Sequence, residues 1–125
     1  MAEYAQDSLT ERIIGAAIEV HRHLGPGLLE TIYEQALELE LKLRGIDCRR
    51  QIEVDVIYKQ RVIKGQKIDM IVAGEVIVEV KSLSKLPEVA TAQLLSYLKS
   101  TGLKRGLLLN FGCLRLVDGI KRISN

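Results

Sequence analysis

Apart from Glu75 in a turn-like stretch, three ionisable residues, Asp69, Glu79 and Lys81, interrupt a segment (68–81, IDMIVAGEVIVEVK) that otherwise has the composition of a buried strand. Carboxylate oxygens are the ligands that Mg²⁺ or Mn²⁺ prefers in proteins. A neighbouring ammonium group can orient an attacking water and stabilise charge on a phosphate. Residues of these types, held together, suit hydrolysis of a phosphodiester.

A predicted hairpin brings the three residues together. Ala73-Gly74-Glu75 predicts a tight turn, and with Gly74 at its centre Asp69 faces Glu79. Lys81 then shares a face with Glu79, because side chains alternate along a strand. Facing carboxylates repel each other and lose solvation, which a divalent cation between them would relieve. A salt bridge from Lys81 to one of the acids is the alternative, and both interpretations stay open on this pattern.

Periodicity around the hairpin predicts an α/β domain with a mixed sheet, in the order α-α-β-β-β-α-β-β. The capping-box pattern Ser8-x-x-Glu11 predicts that the first helix begins at Ser8. A third helix should have Pro87 in its first turn and end at Gly102. The predicted helices span about 8–24, 28–44 and 86–100, and the strands 51–58, 61–72 (with a bulge at Gly65), 76–81, 105–111 and an edge strand within 113–123.

The composition limits the function classes. A chain of 125 residues predicts one domain, residues 1–125. The net charge of +2 gives no direct sign of nucleic-acid binding, and one Phe with no Trp argues against a broad base-stacking platform. Two cysteines cannot build a four-cysteine metal site. Without an N-terminal apolar run or any apolar stretch near 18 residues, we expect a cytoplasmic protein with no membrane segment.

The spacing of the acidic residues resembles a known signature. Asp69, followed ten residues later by Glu79-Val80-Lys81, is similar to the D…(D/E)-x-K pattern of the PD-(D/E)XK nuclease superfamily, with Ile68 in place of the usual proline. The element order resembles the α-β-β-β-α-β core of that superfamily, to which this chain adds an N-terminal helix and a C-terminal edge strand.

Two further strings resemble branches of the same superfamily. GLLETIYE (27–34) looks like the G-x-x-E-x-x-Y signature of a small bacterial and archaeal family, through Gly27, Glu30 and Tyr33. QLLSY (93–97) fits the Q-x-x-x-Y motif of RecB-type nucleases, through Gln93 and Tyr97. The chain lacks the cysteine cluster of related iron–sulfur nucleases and a histidine between Glu30 and residue 69.

The resemblance implies a site. Asp69, Glu79 and the Val80 carbonyl would hold Mg²⁺ or Mn²⁺, with Glu30 acting directly or through water and Glu34 as the second candidate. Lys81 would serve the attacking water. Gln93 would bond Lys81 or a phosphate, and Tyr97 would orient Glu30 or a nucleotide.

The resulting hypothesis is a metal-dependent nuclease that hydrolyses phosphodiester bonds in DNA. A domain this small offers little surface for a duplex, so we expect a homodimer or a partner subunit. One alternative is a catalytically inactive module that binds nucleic acid or a protein; another is a phosphohydrolase acting on nucleotides. The basic residues Lys59, Arg61, Lys64 and Lys67 either follow a phosphate backbone or form a solvated edge. We expect His21 to be a hydrogen-bonded core residue.

Overall fold

The computed structural model describes residues 2–125, with side chains from Ser8 onward. Two helices precede a three-stranded meander, a third helix and two final strands, as the sequence predicts. The elements are α1 (Ala2–Leu24), α2 (Glu30–Leu43), β1 (Cys48–Tyr58), β2 (Arg61–Val72), β3 (Val76–Lys81), α3 (Glu88–Thr101), β4 (Arg105–Asn110), a short 3₁₀ helix (Leu116–Gly119) and β5 (Ile120–Ser124).

The five strands form one mixed sheet in the order β1-β2-β3-β4-β5. β3 and β4 are parallel, and the other neighbours are antiparallel. A parallel pair needs a crossover connection, which α3 supplies. The predicted α/β fold with its mixed sheet is confirmed.

Helices cover both faces of the sheet. Val72, Val76 and Val78 pack in the core formed with α1 and α2, whereas Ile71 and Ile77 pack in the core around α3. Continuous apolar runs such as β3 and β4 are the expected composition for strands buried on two sides. None of the helices within residues 2–125 is long and apolar enough to span a membrane.

Several element ends differ from the prediction; α2 begins two residues later than expected, at Glu30, and a 3₁₀ helix (Leu116–Gly119) occupies part of the segment expected to form the last strand. α1 begins at Ala2 rather than Ser8, because the preceding residues AEYAQD include good helix formers that let the helix continue through the capping pattern. Pro87 is the N-cap of α3, with ψ 149°, instead of lying in its first turn. β1 begins at Cys48, where pairing with Val72 extends the ladder by three residues.

Two smaller predictions are confirmed. The β1–β2 register shifts by one residue opposite Gly65, whose φ of 115° is accessible to glycine at little cost. His21 is buried, and its Nε2 lies 2.9 Å from the carbonyl oxygen of Cys113.

Candidate active site

The β2–β3 ladder is short and stops just before the acidic residues. Its pairs are Val72 with Val76, Ile71 with Ile77, and Met70 with Val78. This register is the one that a turn centred on Gly74 predicts. Beyond Met70 the two strands no longer exchange backbone hydrogen bonds, so backbone groups there need other partners.

Asp69 and Glu79 supply those partners across the gap. The Asp69 N–H donates to Oε2 of Glu79 over 2.8 Å, and the Val80 N–H donates to Oδ2 of Asp69 over 2.9 Å. Each carboxylate therefore takes the place of a carbonyl acceptor from the opposite strand. The exchange fixes the two acids side by side where the strands part.

Burial and mutual repulsion act on this carboxylate pair. Burial raises the pKa of Glu79 to about 8, and the neighbouring charge of Asp69 adds to the rise. Burial also raises the pKa of Asp69, while the hydrogen bond from the Val80 N–H opposes that rise. Glu79 is only 3% exposed. The positive charge near the pair does not offset its burial and repulsion, and its hard oxygen donors fit a divalent cation such as Mg²⁺ or Mn²⁺.

The carboxylate pair does not form a complete cage. Among side chains from Ser8 onward, no three or more His, Cys, Asp or Glu residues are grouped to hold a metal ion. An ion at Asp69 and Glu79 would complete its coordination with backbone oxygen and water, which Mg²⁺ commonly retains.

Lys81 ends β3 beside this pair. It is half-buried and lies opposite Asn110 on β4. Its positive charge acts to lower the pKa of both Asp69 and Glu79, although burial outweighs it. Lys81 forms no ion pair within 4.0 Å in the described part of the chain, so the salt-bridge interpretation is not supported.

Glu30 reaches the site from the start of α2. Its Oε2 accepts a long hydrogen bond of 3.4 Å from the Ser82 N–H, directly after Lys81. The Ser82 hydroxyl donates to the Leu28 carbonyl over 2.6 Å, which ties this loop to the segment just before α2. The charge of Glu30 also contributes to the raised pKa of Asp69. The structure therefore brings Glu30, Asp69, Glu79 and Lys81 to one end of the sheet.

This geometry agrees with a comparison of the sequence with protein families. A family model of the PD-(D/E)XK nuclease superfamily matches residues 7–123. The chain belongs to the PD-(D/E)XK nuclease superfamily. Membership supports a nuclease-type function, and nucleases of this superfamily generally use divalent metal ions. No curated protein and no solved structure matches the chain significantly.

Glu34 adds a second buried acid to this PD-(D/E)XK site from one turn further along α2. Its Oε1 accepts hydrogen bonds from Arg50 Nε at 3.0 Å and Gln51 Nε2 at 2.9 Å. Its charge contributes to the raised pKa of both Asp69 and Glu79. Gln51 adopts φ 54°, a costly conformation for a residue with a side chain. Sequence reasoning missed Arg50 and Gln51, because both fit an ordinary alternating strand.

Tyr97 and Gln93 lie on α3, across the sheet from α2. The Tyr97 hydroxyl donates to the Lys67 carbonyl over 3.0 Å and accepts from Gln66 Nε2 at 2.7 Å. Tyr97 therefore supports β2 just before Asp69, and its hydrogen bonds do not go to α2. Gln93 is half-buried one turn earlier, and within the described chain no hydrogen bond joins it to the lysine that ends β3.

Tyr33, from the G-x-x-E-x-x-Y string, holds the loop before α2. Its hydroxyl donates to the Gly25 carbonyl and accepts the Leu28 N–H at 3.1 Å. Its ring stacks on Phe111 with centroids 4.5 Å apart. This buried tyrosine fixes the approach of the chain to Glu30, a role that the sequence pattern does not reveal.

Asn110 holds the loop after β3 and was also missed. Its Oδ1 accepts the Leu83 N–H and its Nδ2 donates to the Leu83 carbonyl, both over 2.9 Å. A side chain on Gly112 would approach the Leu83 oxygen to 2.2 Å, so the loop packs directly against that glycine. The only signal in the sequence is a polar residue at the end of an apolar strand.

Proposed function

We propose that this chain is a metal-dependent nuclease that hydrolyses phosphodiester bonds in DNA. The observation that carries the proposal is the exchange between Asp69 and Glu79, which seats two desolvated carboxylates where β2 and β3 part. An arrangement that only stabilised the sheet would be better served by two backbone carbonyls, because these carry no charge.

The proposal gives each residue a role. Asp69, Glu79 and the Val80 carbonyl hold Mg²⁺ or Mn²⁺, and Glu30 assists directly or through water. The bound ion supplies Lewis-acid stabilisation of the phosphate charge and eases ionisation of water. Lys81 orients the attacking water and stabilises the charge that builds on phosphate oxygens as the ester bond breaks.

Three further residues near the site are proposed to support β2, contact the substrate or add negative charge. Tyr97 keeps β2 in position for Asp69 through its bond to the Lys67 carbonyl. Gln93, one turn before it on the same helix, is proposed to meet a substrate phosphate. Glu34, held by Arg50, contributes negative charge rather than a direct ligand.

Within the superfamily we propose the G-x-x-E-x-x-Y family, with RecB-type features, and action in the cytoplasm. The three residues of the G-x-x-E-x-x-Y string support this assignment. Gly27 adopts φ 102°, Glu30 accepts the Ser82 N–H, and the Tyr33 hydroxyl accepts the Leu28 N–H.

A non-catalytic module that binds nucleic acid is the second candidate. The observation in its favour is that Asp69 and Glu79 already satisfy backbone N–H groups, and that the described residues hold no group of three or more His, Cys, Asp or Glu placed to bind a metal ion. The fold and the strand geometry would then persist without turnover.

Cleavage assays separate these candidates. Plasmid, single-stranded DNA, RNA and free nucleotides are incubated with Mg²⁺, Mn²⁺ or EDTA. We expect DNA cleavage that EDTA abolishes and that Lys81→Ala lowers by about 100-fold or more. Lys85→Ala, an exposed lysine four residues later, is the matched control and should cleave normally. Binding without cleavage supports the module, and turnover of nucleotides alone supports a phosphohydrolase.

Metal binding has its own test. A crystal soaked in Mn²⁺ should show an ion between Asp69 and Glu79, and Glu79→Gln should remove it. An ion elsewhere on the surface, with this pair empty, would contradict the proposed ligand set.

We further propose that the chain forms a homodimer through α2. Leu29, Ile32, Leu39 and Leu43 recur at intervals of three, seven and four residues and are 44–74% exposed. This spacing is that of a helix–helix seam. An antiparallel second copy would bring the basic end of α2 (Lys42) next to the acidic start of the partner's α2. The exposed apolar residues of the two copies would then pack against each other.

A further inference from the structure

Past the carboxylate pair, β1 and β2 continue as a two-stranded ribbon, here called the arm (residues 54–67). Every residue from 55 to 65 is exposed. β3 pairs with β2 only as far as Met70, so the arm projects beyond the end of the sheet that holds the site. At about 3.3 Å per residue, Arg61 at the tip lies about 25 Å along the strand from Asp69.

The arm and its base are positively charged. They carry four cations, Lys59, Arg61, Lys64 and Lys67, against two carboxylates, Asp55 and Glu53, of which Glu53 lies opposite Lys67 in the ladder. The resulting +2 equals the net charge of the whole chain, so the remainder is neutral. Lys64 pairs with Asp55, and the other three cations have no ion-pair partner among the described residues. Such a distribution points to a polyanion as the arm's partner.

Each face of the arm also carries an exposed apolar cross-strand pair. Val56 is paired with Ile63, and Ile57 with Val62 on the opposite face, each 44–64% exposed. Protection of a sheet edge relies on charges and short strands rather than on exposed apolar pairs. A solvated edge therefore explains the cations but not the exposed apolar pairs. A ribbon inserted into a groove of a polyanion would bury the apolar pairs and bring the cations against its negative charges.

The base of the arm is held by α3, on the same strand that carries Asp69. Tyr97 binds Gln66 and the Lys67 carbonyl, two residues before Asp69. A ligand held by the arm is consequently kept in register with the carboxylate pair.

We infer that the arm inserts into a groove of double-stranded DNA, with its cations on phosphates and its apolar pairs against the groove wall. The inference rests on the proposed function. A two-stranded ribbon fits the major groove. At 3.4 Å per base pair, the length of the arm corresponds to about seven base pairs beyond the scissile phosphate.

The first test measures duplex affinity by fluorescence anisotropy, with Ca²⁺ replacing Mg²⁺ to suppress cleavage. Lys59→Ala/Arg61→Ala should weaken binding about tenfold or more and reduce the slope of log affinity against log salt by about 2. Lys104→Ala/Lys121→Ala removes two exposed lysines away from the arm and should leave the slope unchanged.

The second test addresses the apolar pairs and the footprint. Ile57→Thr/Val62→Thr keeps residues compatible with strands, and it should weaken duplex binding without changing the salt slope. A series of duplexes with four, seven or ten base pairs on one side should lose affinity below about seven. Circular dichroism of each variant checks that the fold is retained.

The outcomes separate the inference from the function on which it rests. If both arm variants bind duplex DNA as tightly as the wild type does, the inference about the arm is wrong and the nuclease proposal still stands. Loss of self-association in the arm variants, with duplex binding intact, assigns the arm to a protein contact and overturns the inference. No binding of any nucleic acid by the wild type overturns both.

Discussion

At the scale of single residues, Glu79 is where burial and like charge act together. Its pKa rises from 4.5 to about 8, so a proton is held more tightly in the folded, metal-free state than in the unfolded state. Below pH 4.5 both states are protonated and stability is not penalised. As pH rises towards 8 the unfolded state alone loses the proton, so the free energy of unfolding falls, by at most about 5 kcal/mol.

Denaturant unfolding in EDTA at pH 5, 6.5 and 8 checks this expectation. The Glu79→Gln side chain cannot ionise, so most of the fall in the free energy of unfolding between pH 5 and 8 should disappear. A smaller fall should remain, because the pKa of Asp69 is also raised. Glu88→Gln, at an exposed position, should decline like the wild type. Parallel curves for wild type and Glu79→Gln would show that the glutamate is not protonated in the folded protein.

Asn110 shows how one amide can hold a loop in place. Replacing it with alanine removes both hydrogen bonds to Leu83, and we expect the free energy of unfolding to fall by about 1–3 kcal/mol. The loop that follows Lys81 should also loosen, which amide hydrogen exchange at residues 82–87 would detect. Asn125→Ala, at the chain's only other asparagine, is the control and should change neither quantity. Unchanged exchange in Asn110→Ala would contradict the proposed role.

The sequence could predict some site residues because local rules place them. Asp69 and Glu79 belong to one hairpin, whose register follows from a three-residue turn. Asn110 meets Leu83 across 27 positions, and Gln51 meets Glu34 across 17. Contacts of that range depend on which strands lie side by side and on how α2 docks on the sheet, and no local pattern predicts either.

At the scale of elements, α3 supports the arm through one hydroxyl. Tyr97→Phe keeps the buried ring and removes the bonds to Gln66 and the Lys67 carbonyl. We expect a loss of about 1 kcal/mol in stability and faster hydrogen exchange across residues 61–67. Tyr58→Phe, whose hydroxyl lies on the exposed arm, is the matched control. Equal exchange in the two variants would mean that the hydroxyl does not restrain β2.

The elements were easier to predict than their ends and faces. Alternation over 52–58 correctly predicts a strand, yet Cys48 packs with the α1–α2 core whereas Ile52 packs with the α3 core. Strict alternation would place both on one face. Gln51, with its positive φ, lies between them, and β2 changes face at the same level, between Ile68 and Met70. A backbone conformation that is unusual for glutamine leaves no trace in a hydrophobic pattern.

At the scale of the whole molecule, the exposed apolar residues along α2 would place the proposed dimer interface next to the site. Glu30 opens the helix whose outer face carries Leu39 and Leu43, and Leu29 is the N-cap of that helix. A dimer built on that face would set two carboxylate pairs on either side of one interface, an arrangement suited to cutting paired strands. The arms would then extend from two copies, which enlarges the surface available to a duplex.

Leu39→Lys/Leu43→Lys tests this assembly, because two charges on the seam would repel their symmetry mates and remain unpaired if buried. Light scattering after size exclusion should give twice the chain mass for the wild type and the single chain mass for the variant. Leu114→Lys alters a leucine that is 87% exposed outside α2 and should remain dimeric. A wild type that stays at 14.0 kDa at all concentrations would overturn the dimer. If the variant is monomeric, retained nicking of one strand with lost double-strand cleavage would show that the second copy supplies the second cut.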